Sequence, residues 1–452
     1  PIGTDNVALG NTSLGNVEAG GINNVAIGDD SLKALTTGDN NTAVGYRSLK
    51  TAVTSLSNTA IGSLALCTNT AGNNTAIGAN AMECNTSGGD NTAVGKQANF
   101  KNTTGTSNSS LGTLALKCNT TGASNVAVGR DSLSANTTAS SNTAVGMCAM
   151  NSNTTGATNV AVGMAAMKAN TTGEHNSAVG HNSLLVNIDG DQNVAVGNYS
   201  LDANTTGCCN TAIGYCALSG NTTGNTNTAV GLKALSSNTT GCENAAFGKD
   251  TLGNNTEGFC NTAIGRSALR LNTTGDKLTA LGYCALFANV VGNNSVAIGF
   301  GALASSTGSN NIAIGHVSGV QNGMINVSSQ SNRLVMGNDE ITNSYVKVDW
   351  TVTSDLRDKT NIGTVPHGLN FVNQLNPISF QFRTARGKDT TRGGVRYGFK
   401  AQDILALEKE NGGSNVIIDN EFEESLKLTG GSLIPVLVNA IKELKAEIDE
   451  LK

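Results

Sequence analysis

The sequence predicts an all-β repeat protein: a parallel β-roll or β-helix solenoid, followed by an α+β domain that ends in a coiled-coil helix. Three observations predict it. A glycine recurs at a near-constant interval over the first 316 residues, the chain is rich in Gly but poor in Pro and charge, and its last hundred residues break both patterns. Of 452 residues 55 are Gly and four are Pro, and 13% are charged, about half the globular norm. That composition excludes collagen and Pro-rich linkers. With 38% hydrophobic residues it also argues against a disordered chain. A net charge of −5 gives no basic field for nucleic acid or an anionic membrane. No apolar run approaches the ~20 residues of a membrane-spanning helix, and no charged-then-apolar leader opens the chain. The expectation is therefore no nucleic-acid partner and no membrane insertion. A start at Pro1 without Met reads as a fragment or a processed product.

The repeat comes first along the chain. Marker glycines run from Gly10 to Gly315, nineteen in all, and from Gly78 to Gly299 every step is 17 residues. The unit reads roughly N-[TV]-A-[VI]-G-x-x-[AS]-L-x-x-N-T-T-G-x-x, as at Asn142-Thr143-Ala144-Val145-Gly146. Helical-hairpin repeats need about 33 to 47 residues, so this period is too short for them. Two apolar pulses per unit, separated by turn chemistry, suit two short strands per coil. The residue before the marker glycine is apolar in all nineteen units, and the fourth residue after it is Leu or Met in seventeen of the first eighteen. Parallel stacking of nineteen such coils at ~4.8 Å makes a rod on the order of 90 Å. N-T-T-G, as at Asn170 to Gly173, supplies the corner, with its glycine expected at positive φ. The lack of proline keeps every ladder donor in place.

One column is small throughout. The position of Ala144 is Ala in eighteen of nineteen units and Ser110 in the other. Strand alternation puts Thr143 and Val145 on one face and Ala144 on the other. A small-only column means a close neighbour on that face. The expectation is packing between chains around a shared axis, with tight packing inside one coil as the alternative.

These units, over residues 5 to 316, resemble the head repeats of trimeric autotransporter adhesins. Their 17-residue form with N-T-T-G is similar to phage fibre proteins, especially those of marine cyanobacterial phages. The resemblance implies a homotrimeric shaft spanning residues 1–316. Residues 317–353 lose the beat but stay β-like, as in Arg333 to Gly337 and Tyr345 to Trp350, and form a connector.

The tail, 354–452, holds 27 of the 61 charged residues and three of the four prolines. It opens Ser354-Asp355-Leu356-Arg357-Asp358-Lys359-Thr360-Asn361-Ile362. Gly368 to Val372, Leu375-Asn376-Pro377, Tyr397 to Asp403 and Leu433 to Leu437 follow. In that order these segments resemble the S74 intramolecular chaperone domain of phage tailspikes and fibres. The resemblance implies a domain that drives trimerisation and is often released by self-cleavage through a Ser–Lys dyad. Carried over, Ser354 is the nucleophile, Lys359 the base, and the cut falls between Thr353 and Ser354. A serine hydroxyl needs a base to take its proton, and burial lets a lysine serve. One departure stands out. The position before the lysine, commonly Leu, is Asp358 here, and a carboxylate there can pair with Lys359 and slow cleavage. Any enzymatic activity is thus a single self-cleavage, with no external substrate.

Residues 433–452 end the chain with Ile434, Ile441 and Ile448 seven apart and Leu437, Leu444 and Leu451 likewise, an a/d seam. Ile at a with Leu at d by itself leans towards two strands; three strands come from the resemblance.

Other signals carry less. Gly299-Phe300-Gly301-Ala302-Leu303-Ala304 superficially matches a dinucleotide fingerprint but lies inside the repeat with no βαβ unit. Ten cysteines, all before the tail, show no C-x-x-C and no zinc-like His spacing. No cofactor or metal is expected, and buried reduced thiols suit assembly in a host cytoplasm. Cys67 and Cys84 stand at nearly equivalent places in adjacent coils. Recurrent Asn-x-Thr triplets read as corner chemistry rather than glycosylation sites.

The function expected is that of a structural viral tail fibre or surface appendage on a virion. Its expected partners are two further copies of itself, other tail or baseplate proteins, and a host surface glycan or protein. A cell-surface adhesin head is the alternative, and an ice-binding rod a remote one.

Overall fold

Three residues before each marker glycine form a strand, from β1 (Val7–Leu9) to β19 (Ile312–Ile314), and a twentieth, β20 (Leu334–Met336), follows. The structure, a computed structural model, describes residues 5–17, 21–320, 327–338, 340–341, 344–347, 354–383, 389–411, 416–419 and 426–452. All twenty strands join one parallel sheet in strict register, with Ala144 opposite Ala161 and Ala161 opposite Ala178. The result is a parallel β-solenoid of about eighteen turns.

The second apolar pulse does not form the second strand that its pattern suggests. Asp131 and Leu133 both take left-handed φ, +58° and +51°, and the same alternation recurs coil after coil. Left-handed residues reverse the chain, so this side is a run of tight turns, closed by Ser132 N–H to Gly129 O and Asn136 N–H to Leu133 O, both 3.3 Å. Its amides still bond to the next coil, as in Leu133 N–H to Ala149 O at 2.9 Å. Each left-handed Leu costs about 1–2 kcal/mol. Full burial of its side chain returns about 1.5–3 kcal/mol.

That turn wall changes where the Ala column sits. Ala144, Ala161 and Ala178 are completely buried within the single chain. In the first coils Ala43, Ala60 and Ala76 form one cluster with Leu49, Leu66 and Met82. The column therefore fills the inside of the coil, and the expectation that it lies between chains is corrected. One strand packed against one turn wall leaves room for little more than a methyl in the coils of β1 to β19. The outward face instead carries Thr143, Val145 and their equivalents.

Two internal asparagine ladders explain most of the remaining consensus. In all but three coils, where Leu278, Ser295 and Arg333 stand instead, an Asn precedes the strand and its side chain accepts from the next coil, as Asn159 N–H donates to Asn142 Oδ1 at 2.9 Å, while Asn142 Nδ2 donates to Gly156 O at 2.9 Å. The corner Asn of N-T-T-G forms a second ladder. Asn187 Nδ2 donates to Asn170 Oδ1 at 2.7 Å and to Gly190 O at 2.9 Å, and Asn187 Oδ1 accepts from Asn204 at 2.8 Å. These side chains are buried, and nearly every amide is satisfied inside the fold, Asn289 Oδ1 being left without a partner. The first Thr ties the outer edge, with Thr171 Oγ1 donating to Ile188 O at 2.9 Å.

The two glycines differ from expectation in an instructive way. The marker Gly197 has φ +133°, and a Cβ there would lie 2.6 Å from Gly214 O. The corner Gly207 lies outside the left-handed region, yet its Cβ would meet Asn204 Oδ1 and Gly224 O at 2.5 Å. Close approach, not positive φ, requires the corner glycine.

All ten cysteines are free thiols, half-buried except for the exposed Cys209, rather than fully buried. Burial raises the pKa of Cys67 and Cys84.

β20 extends the sheet from within the stretch set apart as a connector, and Val335 takes the inward place of the Ala column, opposite Ala313. Tyr345 to Lys347 are irregular rather than strand, and Val348 to Trp350 lie outside the described residues.

Described residues up to Gly337 belong to the solenoid unit, and those from Asn338 to a second. The second unit contains α1 (Leu369–Gln374), β21 (Ile378–Arg383), β22 (Thr391–Gly398) and α2 (Ala401–Glu410). It continues through β23 (Ile418–Asp419) and β24 (Lys427–Leu428) to α3 (Leu433–Glu450). Its core is small: Phe371 from α1, Ile404 from α2, Ile417 and Ile418, and Leu433 and Val436 from α3.

Candidate self-processing site in the C-terminal unit

Ser354 and Lys359 stand at the two ends of a short 3-10 turn, Leu356–Asp358. Asp355 caps that turn: its Oδ1 accepts from Arg357 N–H at 2.9 Å, and its carboxylate grips the Arg357 guanidinium, Nη2 to Oδ2 at 2.5 Å. The guanidinium holds the Asp355 carboxyl below the usual carboxylate range. Lys359 N–H closes the turn on Leu356 O at 3.2 Å. The chain thereby folds back, and Lys359 Nζ reaches Ser354 Oγ at 2.8 Å. A nucleophile and a base within hydrogen-bond reach are the first geometric requirement of a dyad. Both residues are exposed. Thr353 and the Asp358 side chain lie outside the described residues, so the scissile carbonyl and the carboxylate beside Lys359 are not placed.

Two carboxylates that the sequence did not single out organise the rest of the unit. Glu408 of α2 is fully buried. Its Oε1 accepts from Val416 N–H at 3.0 Å and Ile417 N–H at 2.9 Å, and its Oε2 from Ile418 N–H at 3.1 Å. Glu443 of α3 accepts from Leu369 N–H at 2.6 Å, capping α1, and from Asn439 Nδ2 at 3.0 Å. Asn439 Nδ2 also donates to His367 O at 3.0 Å. A Cβ at Gly368 would fall onto the Glu443 carboxylate, so a larger residue there would displace that side chain from its cap. His367 is buried and stacks on Phe371 with centroids 4.3 Å apart.

The a/d seam belongs to a helix with two apolar faces. Leu433, Val436 and Ala440 are buried, and α3 packs on α1 through this face. Ile434, Leu437, Ile441, Leu444 and Ile448 are exposed, Ile434 and Ile441 by 63% and 66%. One face of this helix is thus folded onto its own domain, and the heptad face is left over.

Residues 354–413 match the family Peptidase_S74, described as the chaperone of endosialidase. The chain carries an S74 chaperone domain. Its match begins at Ser354, the residue proposed as nucleophile, and runs through α1, β21, β22 and α2. The S74 domain follows a β-solenoid built on a 17-residue repeat. No curated protein and no solved structure matches the chain. Among the described residues, no group of His, Cys, Asp and Glu is arranged to hold a metal ion, and no helix is long and apolar enough to cross a membrane.

Proposed function

We propose that the chain is a homotrimeric fibre protein of the phage tail-spike type, a rigid β shaft whose C-terminal S74 domain brings three chains together and sets their folding. The match of residues 354–413 to the chaperone family carries this reading. Exposed heptad residues on α3 support it, because a seam of Ile and Leu left in water needs partner helices. So does the repetition of the shaft. Neighbouring coils are nearly identical, so a one-coil slip between chains loses little, and alignment at one end removes the ambiguity. Attachment to a host surface, with a glycan or protein as receptor, is the role that such a shaft serves on a virion.

Self-cleavage before Ser354 belongs to the same reading. The hydrogen bond from Lys359 Nζ to Ser354 Oγ supports it, and assembly over this exposed turn would supply the dehydration that a lysine base requires.

The test compares full-length chain with residues 1–353 alone. Full-length protein should sediment as a trimer, and the truncated chain should aggregate or assemble irregularly. Regular soluble trimers without the tail would remove the chaperone role.

A further inference from the structure

Two inward columns of the repeat are each broken once, and the breaks face one another. The position four after the marker glycine is Leu or Met in seventeen of the first eighteen coils and Asn99 in the sixth. The inward strand position is Ala in eighteen of the nineteen coils and Ser110 in the seventh. The two columns meet inside the fold. A Cβ on Gly319 would lie 2.8 Å from Leu303 Cδ2 and 3.9 Å from Ala313 Cβ, so a Leu-column side chain sits beside the Ala column of the coil that follows. Asn99 and Ser110 hold those two places in the sixth and seventh coils. They are 0% and 2% exposed.

Neither Nδ2 nor Oδ1 of Asn99 has a partner in the chain, and among the described residues no other buried side chain leaves two polar atoms unmet. The Ser110 hydroxyl donates to Thr92 O at a long 3.3 Å and keeps its acceptor capacity. The backbone does not call for either exchange. Asn99 takes φ +49° and Leu116, one coil on, +54°. Asn99 N–H donates to Ala115 O at 2.9 Å, as Leu133 N–H does to Ala149 O. The apolar core registers the break: the cluster that starts at Ala26 ends at Ala98, although Ala115 and Leu116 beyond it are fully buried.

We infer that Asn99 and Ser110 enclose a water-binding site in the core of the shaft, where one water molecule bonds to the Asn99 amide and the Ser110 hydroxyl. A buried amide left unmet is destabilising. An enclosed water takes about two to four polar partners, which Asn99 Oδ1, Asn99 Nδ2 and Ser110 Oγ supply. Room comes from the exchange itself, because Asn is smaller than Leu by more than the ~30 Å³ that a water occupies in the liquid. Ser matches Ala in volume and adds a hydroxyl. Water is the occupant because it both donates and accepts, as Oδ1 and Nδ2 together demand; a cation serves only the first and an anion only the second. The site parts the apolar core into a stretch on either side, so local opening of the stacked coils should begin there. The inference is independent of the trimeric reading, since both residues lie within one chain.

The test is a high-resolution crystal structure of the full-length protein beside a double-mutant cycle followed by hydrogen exchange. The expected structure shows a water peak within hydrogen-bond reach of both the Asn99 amide and Ser110 Oγ, and the peak should vanish in Asn99→Leu. In the wild-type background, Ser110→Ala should lower amide protection at Ala115 and Leu116 about three- to tenfold, the size of one hydrogen bond. In the Asn99→Leu background there is no water left to lose a partner, so Ser110→Ala should leave protection unchanged or raise it. The double variant restores both columns and should exceed the wild type in protection. A structure in which Asn99 turns to a protein partner, or in which no water touches both side chains, overturns the site. So does a cycle in which Ser110→Ala has the same effect in both backgrounds.

Discussion

Buried carboxylates are tolerated where donors surround them, and Glu408 has three backbone amides within 3.1 Å. It fixes residues 416–418 against α2, and with them Ile417 and Ile418 in the small core. Glu408→Ala should cost about 1–3 kcal/mol for the buried amides left without an acceptor. Glu408→Gln, which keeps one acceptor oxygen, should cost less. Chemical denaturation followed by a probe in the tail checks this, and an unchanged midpoint for the Ala variant would mean that the amides find other partners. Nothing in the sequence marks this residue. A glutamate followed by Lys409 and Glu410 reads as a solvent face of the helix, and only the returning strand turns it inward.

At the scale of one coil, the repeat is a set of ladders, each demanding one residue type for one reason. Ala161→Leu should destabilise the shaft by about 1–3 kcal/mol through overpacking. Because the column is internal, the damage should appear as local loss of amide protection in the coils of Ala144, Ala161 and Ala178, not as loss of the trimer. Hydrogen exchange on the assembled protein separates the two outcomes. The first coils add a pH dependence. Asp30 accepts from Thr12 Oγ1 at 2.6 Å and from Lys33 Nζ at 2.9 Å. These bonds lower its pKa from 3.8 to about 2, the Thr12 bond most. A depressed carboxyl stabilises the fold above its unfolded pKa and ceases to do so as pH falls through the folded value. The tie between the first two coils should therefore hold at neutral pH and loosen between about pH 4 and pH 2. Amide protection at Leu14, which donates to Ser31 O, should fall over that window. Asp30→Asn should flatten the dependence.

For the whole molecule, the proposed dyad makes a prediction about products. If Ser354 attacks the preceding carbonyl with Lys359 as base, folding should yield pieces of 353 and 99 residues without added protease. Ser354→Ala and Lys359→Ala should each keep the chain intact and still trimeric, because neither residue belongs to the heptad face of α3. Asp358→Leu should speed the cut if that carboxylate holds the lysine in an ion pair. Denaturing mass measurement of fresh protein decides. An intact wild-type chain from pH 6 to 9, unaffected by Asp358→Leu, would leave the dyad a hydrogen bond without chemistry.

Much of this was written in the one-dimensional pattern. A fixed 17-residue period dictates equal coils, and equal coils stack in parallel with each residue above its own kind. The strand positions, the register and the α3 seam follow from period alone. The S74 motifs, ordered along the tail, likewise stand in the sequence, as do Ser354 and Lys359. What a coil does across its own width was not legible. Alternation tells that Ala144 and Val145 oppose each other, but not which of them points inward, since that depends on the opposite wall. The wall proved to be left-handed turns built on Leu133 and its equivalents, a conformation that residue type does not announce and that burial in the stack enforces. That narrow wall sealed Ala inside and left Val outside. In the tail, Glu408 and Glu443 acquire their roles from segments distant in sequence, so only the tertiary structure brings acceptor and donor together.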